Sequence, residues 1–206
     1  MVANGEACSL ELLGELLEWS PYVLALDGAL PRLLTLGIKV DAVLGDFDSM
    51  DVNSSELTQL QDGIRVLHRP DQEKTDFEKG LDFLLEEGHK AVNILWATGY
   101  RLDHTYANLS NLNKYVHALS INVIDDHIRL YPLPKQFRKH FPKAQILSLM
   151  PMGRVEGIRT SNLLYPLQDE VLEIGSRIGT SNQVVETGWV EIHHRSGLLL
   201  LGEVRN

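Results

Sequence analysis

The sequence predicts an α/β protein: an N-terminal parallel-sheet α/β domain followed by a smaller C-terminal antiparallel β-sandwich domain. Three observations predict it. Over the first two-thirds of the chain, short apolar runs alternate with segments of helical spacing, and that alternation builds a parallel sheet with right-handed crossovers. Past Pro132-Leu133-Pro134 the segments become short, alternating and bounded by Gly, Pro and Asn, the pattern of antiparallel β structure. Three polar clusters each fall where a strand signal ends and a helix signal begins, the edge at which open parallel sheets bind ligands. The expected boundaries are 1–134 for the α/β domain and 135–206 for the β domain. A sheet domain this small is marginal alone, so packing on another domain or subunit is expected.

The elements follow in order. Residues 10–19 (LELLGELLEW) have helical spacing, interrupted by Gly14. Residues 22–26 form an apolar strand ending at Asp27-Gly28, and 30–36 a short helix closed by Gly37. Residues 42–44 and 64–67 are the next strands. Residues 75–87 (TDFEKGLDFLLEE) form an amphipathic helix, with Thr75 as N-cap and Gly88 as its stop. A strand at 92–97, a long helix at 103–119 and a strand at 121–124 complete the alternation. In the β domain, strands are expected at 145–149, 171–174, 189–193 and 198–201.

The bulk numbers narrow the function. The chain has 206 residues with 19 Lys plus Arg against 28 Asp plus Glu, a formal charge of −9. An acidic surface argues against nucleic-acid binding, which runs on phosphate neutralisation. It leaves nucleotides open, because a site can bring its own Mg²⁺. Cys8 is the sole cysteine, so no intrachain disulfide forms and a reducing cytoplasm fits. No apolar run reaches the length of a membrane span, and the first residues carry no signal-type segment. His193 and His194 are adjacent and point to opposite faces of a strand, a poor metal pair.

The first cluster is Gly45-Asp46-Phe47-Asp48-Ser49, directly after the strand 42–44. Two carboxylates at i and i+2 repel each other unless a cation lies between them, and hard oxygen ligands suit Mg²⁺. The competing reading is an acidic turn with Ser49 as a helix N-cap. The second cluster, Asp71-Gln72-Glu73-Lys74-Thr75-Asp76-Phe77, opens the strongest helix, where free N–H groups favour anions. Asp76 there is either a favourable dipole partner or a third carboxylate of the metal site. The third cluster is Thr98-Gly99-Tyr100-Arg101-Leu102-Asp103-His104. Arg101 offers a planar fork to phosphate; Asp103 caps the helix, binds metal or orients Arg101; His104 and Asn108 share a helix face. Together the clusters suggest Mg²⁺-nucleotide chemistry without a P-loop.

The order of these motifs resembles the thiamine pyrophosphokinase family. The resemblance runs through Asn4-Gly5-Glu6, Asp27-Gly28, the three clusters and Thr180-Ser181-Asn182. It implies a homodimer that moves the pyrophosphoryl group of ATP to the hydroxyl of thiamine, releasing AMP. It implies that Asp46, Asp48 and Asp76 surround Mg²⁺ and the ATP phosphates. Asn4, Asp27, Gly28, Ser49, Gln72, Thr75, Arg101, Asp103, His104 and Asn108 would line the nucleotide site. Ser181 and Asn182 would hold thiamine across the subunit interface; read by themselves they are a turn between strands. Tyr165 and Trp189 are candidate platforms for the thiazolium cation. The chain departs from the family pattern at Ala29, Gln72, Trp96 and Tyr100, and Val2-Ala3 is short for the family's first strand: either the sheet edge is curtailed or the true start lies upstream. A pterin pyrophosphokinase of the same fold, and a non-catalytic nucleotide- or thiamine-binding regulator, are the alternatives.

Overall fold

The computed structural model describes residues 1–47 and 63–205. The chain divides into two compact units, Met1–Ser120 and Ile121–Asn206. The first contains α1 (Leu10–Leu17), β1 (Leu24–Leu26), a 3-10 turn (Asp27–Ala29) and α2 (Leu30–Thr35). It continues with β2 (Ala42–Gly45), β3 (Arg65–His68), α3 (Asp76–Glu86), β4 (Ala91–Ile94) and α4 (Leu102–Tyr115). Among the described residues, no helix is long and apolar enough to cross a membrane.

β1, β2 and β3 pair in parallel in that order, with Leu24 beside Ala42 and Gly45 beside His68. β1 and β2 are buried along their whole length, which is why their sequences are continuously apolar rather than alternating. The short N-terminal run was expected at a curtailed edge; it lies instead inside the sheet. Val2 bridges in parallel to Ala25 on one side and Leu95 on the other. The Val2 and Leu26 N–H groups donate across the β1 side at 2.8 and 2.9 Å, and Ala3 N–H donates to Leu95 O at 2.9 Å. Pairing on both sides satisfies the backbone and buries Val2 and Ala3 to 3% exposure each, so so short a segment is held by its neighbours rather than by its own propensity.

The resulting order is β3-β2-β1, then residue 2, then the β4 side. The chain builds outward from residue 2 through β1, β2 and β3, then crosses back to place β4 on the other flank. That reversal opens a crevice at the carboxyl ends of the strands. Helix α3 begins as expected: Thr75 Oγ1 accepts from Glu78 N–H at 3.3 Å, and the Glu78 carboxylate returns the bond to Thr75 N–H at 3.3 Å. It stops at Gly88, where φ is +82°. α4 ends at Tyr115, four residues before the expected limit, because Ala118 and Leu119 N–H groups both turn back onto the Tyr115 carbonyl.

The second unit holds β5 (Ser120–Ile124, starting on the last residue of the first unit), β6 (Ile128–Pro132), β7 (Gln136–Phe141) and β8 (Ile146–Ser161). β9 (Gln168–Glu173), β10 (Gly179–Gln183), β11 (Gly188–His193) and β12 (Ser196–Val204) follow. The strand expected at 121–124 is present as β5, and it also pairs antiparallel with β6, Val123 opposite Leu130. The cause is local: Asp125 Oδ1 accepts from His127 and Ile128 N–H groups at 2.8 and 2.9 Å, folding a tight reversal. The first unit ends at Ser120.

β8 is far longer than the five residues expected. Its first half pairs with β10 and β12, and its second half with β9 and β11. Irregular pairing around Val155 and Ile158 lets one strand serve both sets of partners. Leu147, Leu149, Val155, Ile158, Leu172, Val190, Ile192, Leu199 and Leu201 are fully buried in one shared core. His193 is exposed and His194 buried, the alternation expected of neighbours in an extended chain.

Candidate active site

One cavity of about 720 Å³ lies at the strand ends of the first unit. Two glycines fix its floor. A Cβ on Gly45 would sit 2.5 Å from the Asp27 Cβ, and a Cβ on Gly28 would sit 2.0 Å from Asn4 Nδ2. Only glycine lets the ends of β1, β2 and the residue-2 strand approach so closely. Asn4, Asp27, Gly28 and Asp46 line the cavity there, and Asp27 is nearly buried.

The β3–α3 connection brings Gln72, Thr75 and Asp76 to the same cavity. Gln72 Nε2 donates to Asp46 Oδ2 at 3.3 Å, joining two clusters 26 residues apart. Asp76 sits in the first turn of α3, where free N–H groups favour a carboxylate. Lys79, 5% exposed and itself lining the cavity, holds Asp76 Oδ1 at 3.0 Å. Behind it, Glu78 is pulled two ways. Burial opposes its charge, but hydrogen bonds from Lys114 and Thr75 win and hold its carboxyl below the usual range.

The loop after β4 supplies Arg101, His104 and Asn108. Arg101 clasps Asp103 through Nε (3.1 Å) and Nη2 (2.5 Å). Those hydrogen bonds hold the exposed Asp103 carboxyl at about 2. Of the three roles open to Asp103 in the sequence, the structure shows the orientation of Arg101, and Asp103 stands beside the cavity rather than lining it. His104 is exposed at the mouth. The Asn108 amide is buried and donates to Ala97 O at 2.8 Å, fastening α4 to the loop that carries Arg101.

Asp48 and Ser49 lie outside the described residues. Ser181 and Asn182 lie in the second unit. Asn182 is buried; its Oδ1 accepts from Tyr165 and Gln183 N–H groups at 3.0 and 2.9 Å, and its Nδ2 donates to Tyr165 O at 2.8 Å. Its amide holds the Tyr165 loop, and the exposed members of this patch are Ser181 and Tyr165. Trp189 is half exposed, with the Arg138 guanidinium 4.4 Å from its ring centroid.

Sequence reasoning missed four polar side chains of the cavity in this role: Arg32, Lys74, Lys79 and Tyr100. Lys79 had a signal, standing at i+3 from Asp76 on an amphipathic helix. Arg32 had none. Its Nη1 donates to Gly5 O at 2.7 Å and its guanidinium lies 4.2 Å from the Trp96 ring centroid, contacts made only by tertiary folding.

Among the described residues, no three His, Cys, Asp or Glu side chains gather closely enough to hold a metal ion. Asp46 and Asp76 nevertheless share a cavity with Lys74, Lys79 and Arg101. Hard carboxylate oxygens beside fixed cations suit a polyphosphate carrying a divalent cation such as Mg²⁺.

Two family models match the chain: thiamin pyrophosphokinase, catalytic domain, over residues 13–124, and thiamin pyrophosphokinase, vitamin B1 binding domain, over residues 134–199. The chain is 26% identical to a thiamine pyrophosphokinase of Bacillus subtilis, covering 80% of this chain and 78% of that one. It is 29% identical to thiamin pyrophosphokinase 1 of Caenorhabditis elegans, covering 98% and 88%. Its fold is similar to the crystal structure of the Bacillus subtilis enzyme, with a TM-score of 0.80, 21% identity and coverage of 100% and 99%. Yeast thiamin pyrophosphokinase gives a TM-score of 0.82 at 14% identity, covering 99% and 85%.

Proposed function

The chain belongs to the thiamine pyrophosphokinase family, and from that premise we propose that it transfers the pyrophosphoryl group of ATP to the hydroxyl of thiamine, forming thiamine diphosphate and AMP. The observation that carries the reading is the meeting of Asp46, Gln72, Asp76, Lys79 and Arg101, from three separate strand ends, in one cavity. The match to a vitamin B1 binding domain over residues 134–199 favours thiamine over a pterin acceptor.

The thiamine hydroxyl attacks the β-phosphorus of ATP. A new O–P bond forms as the bond from that phosphorus to the bridging oxygen breaks, AMP leaves with the oxygen, and the hydroxyl proton passes to solvent. Such transfer depends on positioning and charge neutralisation more than on covalent chemistry. Arg101, fixed by Asp103, and Lys79, fixed by Asp76, orient the phosphates; Lys74 adds a third positive charge. Asp46 and Asp76, with Asp48, are the residues to hold Mg²⁺, which when bound neutralises the polyphosphate. The second unit is read as a β-sandwich that presents Ser181 and the Tyr165 loop to thiamine. In a homodimer each such patch would serve the other subunit's phosphate site. A reducing cytoplasm suits this assignment.

The deciding experiment incubates purified protein with Mg²⁺, ATP and thiamine and follows nucleotide and vitamin products. AMP and thiamine diphosphate in equal amounts are expected. ADP with thiamine monophosphate, or nucleotide binding without turnover, would overturn the proposal.

A further inference from the structure

Tyr100 presents a combination that folding alone does not explain. Its φ is +51°, a backbone region that penalises L side chains and that glycine adopts freely. The strain sits in a tight turn closed by Arg101 N–H donating to Gly99 O at 2.7 Å. The ring gains little burial in return, being 75% exposed. Strain retained at an exposed aromatic, on the rim of a ligand cavity, points to a bound partner for the ring.

The position says which partner. Leu102 and Tyr106 are also exposed nearby, but of the three only Tyr100 lines the cavity. In sheet order the carboxylates stand at the ends of β2 and β3, while Tyr100 follows β4, beyond β1 and the residue-2 strand. From β2 to β4 is three strand spacings, about 14 Å. The cavity therefore carries its carboxylates and lysines over one flank and Tyr100, with Arg101 beside it in sequence, over the other. Arg32 braces the aromatic end: its guanidinium lies 5.8 Å from the Tyr100 ring centroid and 4.2 Å from that of buried Trp96. A ligand matching this layout has a polyphosphate that runs from the carboxylates and lysines towards Arg101 and a flat π-face at the Tyr100 end.

We propose that Tyr100 is the platform on which the purine base of the nucleotide donor stacks. The inference rests on the ATP-dependent reading above and adds the residue that holds the base. A neutral ring grips any base by its face and reads size rather than edge pattern, so ATP and GTP should bind more alike than ATP and UTP.

The test uses full-length wild-type protein with Tyr100→Phe and Tyr100→Gly, titrated with ATP and with tripolyphosphate in Mg²⁺ by calorimetry. Glycine relieves the positive φ, so Tyr100→Gly should melt no lower than wild type while binding ATP about tenfold more weakly. Tyr100→Phe should stay within about twofold. Tripolyphosphate affinity should be unchanged in both. Unchanged ATP affinity in Tyr100→Gly would overturn the platform, as would an equal loss for tripolyphosphate. A change in sedimentation with nucleotide affinity intact would make Tyr100 a subunit contact instead. Wild-type protein that binds tripolyphosphate but gains nothing from the base would sink the platform alone. Wild-type protein that binds neither ligand would sink the pyrophosphokinase reading and the platform together.

Discussion

Asp46 and Asp76 face the same cavity but stand in different company, and that difference separates their expected mutant behaviour. The Asp46 carboxylate accepts from neutral Gln72 at 3.3 Å. Asn in its place keeps a hydrogen-bonding group and removes one of several like charges. Asp46→Asn is therefore expected to lower turnover about 10²–10³-fold with an unchanged or slightly raised melting temperature. Asp76 instead neutralises Lys79, which is 5% exposed. Asp76→Asn leaves a buried ammonium without its counter-charge, so it should lose activity and also about 1–3 kcal/mol of stability. Urea titration beside an AMP-release assay checks both; an Asp46→Asn enzyme of near-normal turnover would remove that residue from the site.

At the scale of elements, α3 is the piece that joins fold to chemistry, because its N-cap also sets the direction of Asp76. Thr75→Ala removes one half of the reciprocal cap and is expected to destabilise by about 1 kcal/mol, whereas Thr75→Ser keeps the hydroxyl and the stability. α3 is tied to α4 by Lys114 on Glu78 and by the Tyr115 hydroxyl, which donates to Asp82 at 2.9 Å. Burial and then Asp82 push the Tyr115 hydroxyl well above its usual range, so it stays a donor. The turn from β11 to β12 carries a different lever. Burial, and then the nearby Lys135, lower His194 to about 4 from an ordinary 6.5. The folded state thus binds fewer protons than the unfolded one between those values, so stability rises with pH across that window. His194 contributes fully above pH 6.5 and loses its contribution as pH falls towards 4. Melting temperatures measured across that range should fall on acidification, and His194→Leu should flatten the slope; an equal slope in both proteins would exclude His194 as the source.

For the whole molecule, the proposed division of labour puts phosphate chemistry in the first unit and thiamine contacts in the second, with two copies completing each other's sites. Asn182 is unsuited to test this, because its amide holds the Tyr165 loop. Ser181, exposed on β10, and Tyr165 are the better probes. Ser181→Ala with Tyr165→Ala should raise KM for thiamine and leave KM for ATP near wild type. Mixing those subunits with Asp46→Asn subunits should recover part of the lost activity, since one of the two sites in a mixed dimer is intact. A monomer by sedimentation, or no recovery after verified exchange, would rule out the shared site.

What the sequence determined by itself was whatever local chemistry decides. The Thr75 cap and Gly88 stop, the buried runs of β1 and β2, and polar clusters at strand ends all follow from spacing and side-chain type within a few residues. The meeting of Asp46, Asp76 and Arg101 was legible because each stands at a strand-to-helix junction, and a parallel sheet gathers such junctions on one edge. Other features waited for tertiary structure. Val2 and Ala3 look too short for a strand, and only bridges on both sides place them inside the sheet. Residues 121–124 read as a strand of the alternation, and only the Asp125 turn adds β6 as its antiparallel partner. Arg32 reaches the site through contacts with Gly5 and Trp96, and Asn182 spends its amide on Tyr165. Each of these depends on a neighbour distant in sequence, and burial and hydrogen-bond satisfaction are properties of the assembled neighbourhood rather than of the residue.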